Sequence, residues 1–140
     1  MMNIKHIEHI GIAVSDLQEA IKTYEALLDR PCYKTESVAS EKVDTAFFQT
    51  GDSKIELLGA SEEDSVIAKY VEKRGEGLHH VAFAVEDIRA EMKRLKEAGF
   101  RLLQDEPKQG ADNKLVAFVH PKNSRGVLVE LCQERDDTDR

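Results

Sequence analysis

Four residues of this chain have the types and placements that suit a divalent metal ion: His9, Glu56, His80 and Glu130. Two imidazoles and two carboxylates form a borderline-hard N₂O₂ donor set. Such a set suits an octahedral ion with two positions left open, such as Co²⁺, Mn²⁺, Ni²⁺ or Fe²⁺, rather than a closed tetrahedral zinc site. Taken singly, each residue has a plainer explanation. A histidine at a strand start is ordinarily a satisfied structural or surface residue, and a glutamate in a strand ordinarily faces solvent. The four stand apart because they fall at equivalent positions of an internal repeat.

The stretch "HIGIAVSDLQEAIKTY" from His9 aligns with "HVAFAVEDIRAEMKRL" from His80 at an offset of 71 residues (80 − 9). His9 meets His80, Ala13 meets Ala84, Val14 meets Val85, Asp16 meets Asp87 and Lys22 meets Lys93. Such self-similarity sets the architecture. Each copy opens as an alternating strand, then offers an aspartate (or Ser15 in the first copy) to cap the open amides of a helix. Leu17, Ala20, Ile21, Tyr24, Leu27 and Leu28 form one apolar helical face, as do Ile88, Met92 and Leu95 in the second copy, with Gly99 as the stop. Each copy then reads strand, turn, strand, through "DTAFFQTGDSKIELLGA" and "KLVAFVHPKNSRGVLVELCQ". The turns are Gly51-Asp52 and Pro121 to Gly126.

Here Ile55-Glu56-Leu57 lines up with Val129-Glu130-Leu131 at an offset of 74 (130 − 56), three inserted residues accounting for the slip from 71. A carboxylate between apolar strand neighbours is costly to bury without a partner, and both copies place one there. If two halves pack about a pseudo-twofold axis, two histidines and two glutamates can converge in one cleft. The expected fold class is therefore α+β, a tandem duplication of β-α-β-β-β modules within a single domain. Module one spans about 4–60, a linker helix about 61–75, module two about 76–133 and a charged tail 134–140.

Bulk properties exclude several classes of function. At 140 residues the chain is one domain's worth, and its net charge of −7 argues against nucleic acid as a partner. No apolar run approaches the ~18 residues of a membrane span, and no signal-peptide pattern opens the chain, so a cytoplasmic protein with no membrane partner is expected. Cys32 and Cys132 read as buried or incidental thiols in a reducing compartment. The tail "QERDDTDR" is expected to fray. The other histidines are expected to be structural: His6 on the opposite strand face from His9, His79 turned away from His80 by the pleat, and His120 at a strand end before Pro121.

The His-led strand, helix and Glu-bearing strand, twice over, resemble the vicinal oxygen chelate (glyoxalase, bleomycin resistance, dioxygenase) superfamily. Within it the chain is similar to the methylmalonyl-CoA epimerase family over roughly residues 4 to 133. "HIGIAVSDLQEAIKTYEALL" and "GDSKIELLGA" carry the wider resemblance. "IAKYVEKRGEGLHH" and "HPKNSRGVLVEL" carry the more specific one. The resemblance implies an incomplete eight-stranded barrel around a metal cleft, usually in a homodimer. It also implies metal ligands at His9, His80 and Glu130, with Glu56 as the fourth, and a divalent cofactor, Co²⁺ first with Mn²⁺, Ni²⁺, Fe²⁺ or Zn²⁺ as alternatives.

The activity implied is metal-dependent interconversion of (R)- and (S)-methylmalonyl-CoA, a small-molecule CoA thioester, through a chelated enolate. Such chemistry needs charge stabilisation at the thioester oxygen and proton transfer on both faces of the α-carbon. Glu130 is the expected base on one face. For the other, the aligned position holds Thr45 with Asp44 next to it. Asp44 is taken as the candidate, ahead of Glu41, Glu56 or a water. Lys108, Lys114, Lys122 and Arg125 are candidates for the CoA phosphates, "PKQGADNK" reading as a loop at the rim. The rival expectations are a glyoxalase-type isomerase or lyase of the same fold and a non-catalytic small-molecule-binding module.

Overall fold

A computed structural model describes residues 3–135 of the chain. The elements follow the duplicated pattern. The first copy is β1 (Ile4–Val14), α1 (Leu17–Leu28), β2 (Lys34–Val38), β3 (Val43–Thr50) and β4 (Ser53–Ala60). Helix α2 (Val66–Arg74) separates it from the second copy: β5 (Gly77–Val85), α3 (Ile88–Glu97), β6 (Lys108–Gln109), β7 (Lys114–Val119) and β8 (Val129–Glu134). Eight strands and three α-helices among the described residues make the fold α+β, as expected. The charged tail lies outside the described residues from 136 onward; Glu134 still belongs to β8.

The repeat is exact at the helix starts. Asp16 accepts from the Glu19 amide and Asp87 from the Ala90 amide, each closing one open donor of the first turn. Gly99, at φ +94°, lets the Phe100 amide return to the Leu95 carbonyl at 2.9 Å and ends α3. β3 and β4 pair antiparallel with Thr50 opposite Ser53, leaving Gly51-Asp52 as a two-residue turn. Gly51 takes φ +66°, the positive value that such a turn demands at its first position.

The histidines do not head their strands. β1 begins five residues before His9 and β5 three before His80. The extra length has a packing reason at the first strand, where Ile4 lies against the core of α3 and its sheet.

The chain divides into two compact units. Unit one is Met1–His9 with His80–Arg140, and unit two is Ile10–His79. In unit two the hydrogen-bonded strand order is β2-β3-β4-β1. Ala46, Phe48 and Leu57 form one face of this sheet, against Leu17, Ala20, Ile21, Tyr24 and Leu28 of α1. Val43 and Leu58 point to the other face and meet Ile67 and Tyr70 of α2.

In unit one the order is β1-β5-β8-β7-β6, with β5 and β8 parallel. Val85, Leu115, Ala117, Val119 and Leu131 pack with Ile88, Met92 and Leu95 of α3. Alternation sends Ala82, Val116, Phe118 and Cys132 to the opposite face. His80 and Glu130 share that second face by the same parity.

Candidate metal centre

Unit one brings three of the four sequence-selected donors together. His9 comes from β1, His80 from the head of the buried part of β5, and Glu130 from β8, beside Ala82 across the parallel pair. All three are buried, each about 6% exposed. His9 Nε2 stands 2.9 Å from His80 Nε2, His80 Nε2 3.1 Å from Glu130 Oε1, and His9 Nε2 3.6 Å from Glu130 Oε1.

The three ligand-type atoms thus form a triangle. Donors about 2.1 Å from one ion and at right angles to one another stand about 3 Å apart, so the edges suit three adjacent corners of an octahedron. The donor chemistry, two imidazoles and a carboxylate, suits a divalent ion as well.

Electrostatics point the same way. Burial alone would raise the Glu130 pKa, but the His80 and His9 imidazoles beside it hold it well below the ordinary carboxylate range. The carboxylate is therefore ionised at neutral pH. Its second oxygen, Oε2, accepts from Cys132 Sγ at 2.8 Å. His9 is engaged on its other side too, with Nδ1 2.7 Å from Glu8 Oε1. Phe118, cross-strand from Glu130, closes the apolar side with its ring edge-on to His80.

Glu56, the fourth expected ligand, is buried in β4 of unit two, cross-strand from Phe47. Asp44 does not share its face. The register pairs Asp44 with Gly59 and Thr45 with Leu58, so Thr45 and Glu56 point to one side and Asp44 to the other, that of Ala46 and Phe48. Asp44 accepts there from Ser37 Oγ at 2.6 Å. Thr45 is buried and donates to the Glu36 carbonyl. Glu41 lies in the short turn between β2 and β3 and is exposed.

The remaining histidines have other surroundings. His79 packs edge-on against Tyr70 of α2 at 4.9 Å between ring centres, and His6 is exposed. His120 Nδ1 accepts from the Lys122 amide and so shapes the turn after β7. Of the four basic candidates, Lys114 is buried on the Glu130 face and reaches Glu134 at 3.3 Å. Lys108 holds its ammonium 5.8 Å from the Phe118 ring centre. Lys122 and Arg125 are exposed in the 121–126 turn.

Sequence reasoning missed two residues of this centre. Cys132 reads from the sequence as a buried or incidental thiol, and buried it is, but it also lies two residues from Glu130, where strand parity puts both on one face. Glu8 carried no such signal, because adjacent strand residues ordinarily point apart. Its carboxylate nevertheless lies against His9 and is itself buried.

The profile of the Glyoxalase/Bleomycin resistance protein/Dioxygenase superfamily matches residues 8–118. The ethylmalonyl-CoA/methylmalonyl-CoA epimerase of Cereibacter sphaeroides is 42% identical over 132 residues, 93% of this chain and 98% of the relative. The crystal structure of the methylmalonyl-CoA epimerase of Mycobacterium tuberculosis superposes with a TM-score of 0.93 at 32% identity, covering 99% of this chain and 94% of that one. A methylmalonyl-CoA epimerase solved in complex with methylmalonyl-CoA and NH₄⁺ superposes with a TM-score of 0.88 at 36% identity, covering 94% and 95%.

Proposed function

The chain belongs to the glyoxalase/bleomycin resistance protein/dioxygenase superfamily, and we propose that it is a metal-dependent epimerase of methylmalonyl-CoA. The carrying observation is the triangle of His9, His80 and Glu130 donors in unit one of a chain whose relatives are epimerases of this substrate. On the repeat alone, Glu56 is the fourth ligand. Co²⁺ is the first candidate ion, and a cytoplasmic homodimer is the expected form.

The reaction turns on one weakly acidic proton, that of the carbon between thioester and carboxylate. A divalent ion held by these residues supplies positive charge where the thioester oxygen gains negative charge. Glu130 is the group that takes and returns the proton on one face. Cys132 holds the other oxygen of that carboxylate and so fixes which one is presented. Phe118 keeps water from one side of the His80 imidazole. Protonation on the opposite face is assigned to water, since Asp44 is turned to the α1 side of its sheet and engaged by Ser37.

The test is proton exchange. Purified protein loaded with Co²⁺ and given (R)-methylmalonyl-CoA in D₂O is expected to wash deuterium into the α-carbon and to yield the (S) form. Metal bound with no exchange at that carbon would sink the proposal.

A further inference from the structure

The Glu8–His9 contact has a bearing on the metal centre that reaches past the ligands themselves. His9 Nδ1 lies 2.7 Å from Glu8 Oε1, and both side chains are almost fully buried, at 7% and 10% exposure. With Glu8 ionised, its carboxylate can only accept, so the hydrogen in this bond is on Nδ1. A neutral imidazole with its proton on Nδ1 carries its lone pair on Nε2, which faces His80 and Glu130. Buried carboxylates behind a histidine ligand are known to fix its tautomer and ring orientation and to raise its basicity.

We propose that Glu8 is a positioning residue for the metal centre: it locks His9 in the tautomer and orientation that present Nε2 to the ion. Glu8 can do this only if His9 is a ligand, so the metal reading above is its premise. Glu8, His9 and Cys132 also stand close enough for a Nδ1/carboxylate/thiolate set of donors. Glu130 engages the Cys132 thiol at 2.8 Å, and the Nε2 side collects two imidazoles and a carboxylate, so the ion is assigned to the Nε2 side.

Chelator competition for Co²⁺ at fixed pH separates these cases, using wild type, Glu8→Leu, Glu8→Gln and Cys132→Ser. Thermal melts of the metal-free proteins confirm that each variant folds. Losing a partner of this kind typically weakens metal affinity about 10–100-fold, which is the expectation for Glu8→Leu. Glu8→Gln keeps an acceptor for Nδ1–H and should recover most of that loss, a rescue that a purely structural role would not produce. The Co²⁺ visible spectrum should lack a thiolate charge-transfer band in every variant.

Wild-type protein that binds no Co²⁺ overturns the metal reading itself. Wild type that binds, with a folded Glu8→Leu binding equally well, overturns the role of Glu8 alone. A thiolate band in wild type that vanishes in Cys132→Ser overturns it as well, by putting the ion on the Nδ1 side.

Discussion

The two copies of the module keep the same strand chemistry and differ in how they bury their helices. In the second copy Glu130 of β8 lies across from Phe118 of β7, and Lys108 stands over that ring. In the first, Glu56 of β4 lies across from Phe47 of β3, and Lys34 stands 5.3 Å from its centre. A buried carboxylate, a cross-strand phenylalanine and a lysine on the ring thus occur twice. The helices diverge: α3 buries Ile88, Glu91, Met92 and Leu95, whereas α1 has no fully buried residue and leaves Leu27 exposed. The positions proposed to do chemistry are tied to strand register, which tolerates no slip. A helix laid on a sheet can shift or tilt and still cover apolar surface.

The sharpest way to break the comparison is at the carboxylates. Glu130→Gln removes the proposed base, and deuterium exchange at the α-carbon is expected to fall by about 10²–10⁴-fold. Asp44→Asn, on the other sheet face, is expected to leave exchange within a small factor of wild type. Equal losses in both would refute the division of roles drawn from register.

The helix contrast can be measured by urea unfolding. Ile88→Ala in α3 empties a fully buried site and is expected to cost about 2–5 kcal/mol. Ile21→Ala in α1, only partly buried, is expected to cost less, because part of that side chain is already in water. A larger loss at Ile21 would mean that α1 is covered in solution.

Adjacent histidines offer a smaller test. His80→Ala should abolish tight Co²⁺ binding as measured by calorimetry. His79→Ala should leave it unchanged while losing a ring contact with Tyr70 worth about 0.5–1.5 kcal/mol.

The smallest expected effect is a pH slope. The Glu91 carboxyl is held below its ordinary pKa, first by the Arg94 guanidinium, against its own burial, and then by Asn3. A depressed folded pKa means that this stability is present above the unfolded value of about 4.3 and is lost as pH falls through the folded one. Glu91→Gln should therefore flatten acid unfolding below about pH 4.3, with little change in slope at neutral pH.

The duplication, the helix caps at Asp16 and Asp87, the Gly51-Asp52 turn and the opposite facing of His79 and His80 were all legible in one dimension. They depend on period and offset, which the order of residues carries directly. What the chain order could not carry was lateral pairing. The register of β3 on β4 decided that Thr45 rather than Asp44 shares a face with Glu56. The seating of β8 beside β5 and β7 brought Cys132 to Glu130 and Phe118 to His80. Glu8 is the clearest case. Alternation turns it away from His9, and only the packed interior, where a buried carboxylate must find a donor, makes it the partner of Nδ1.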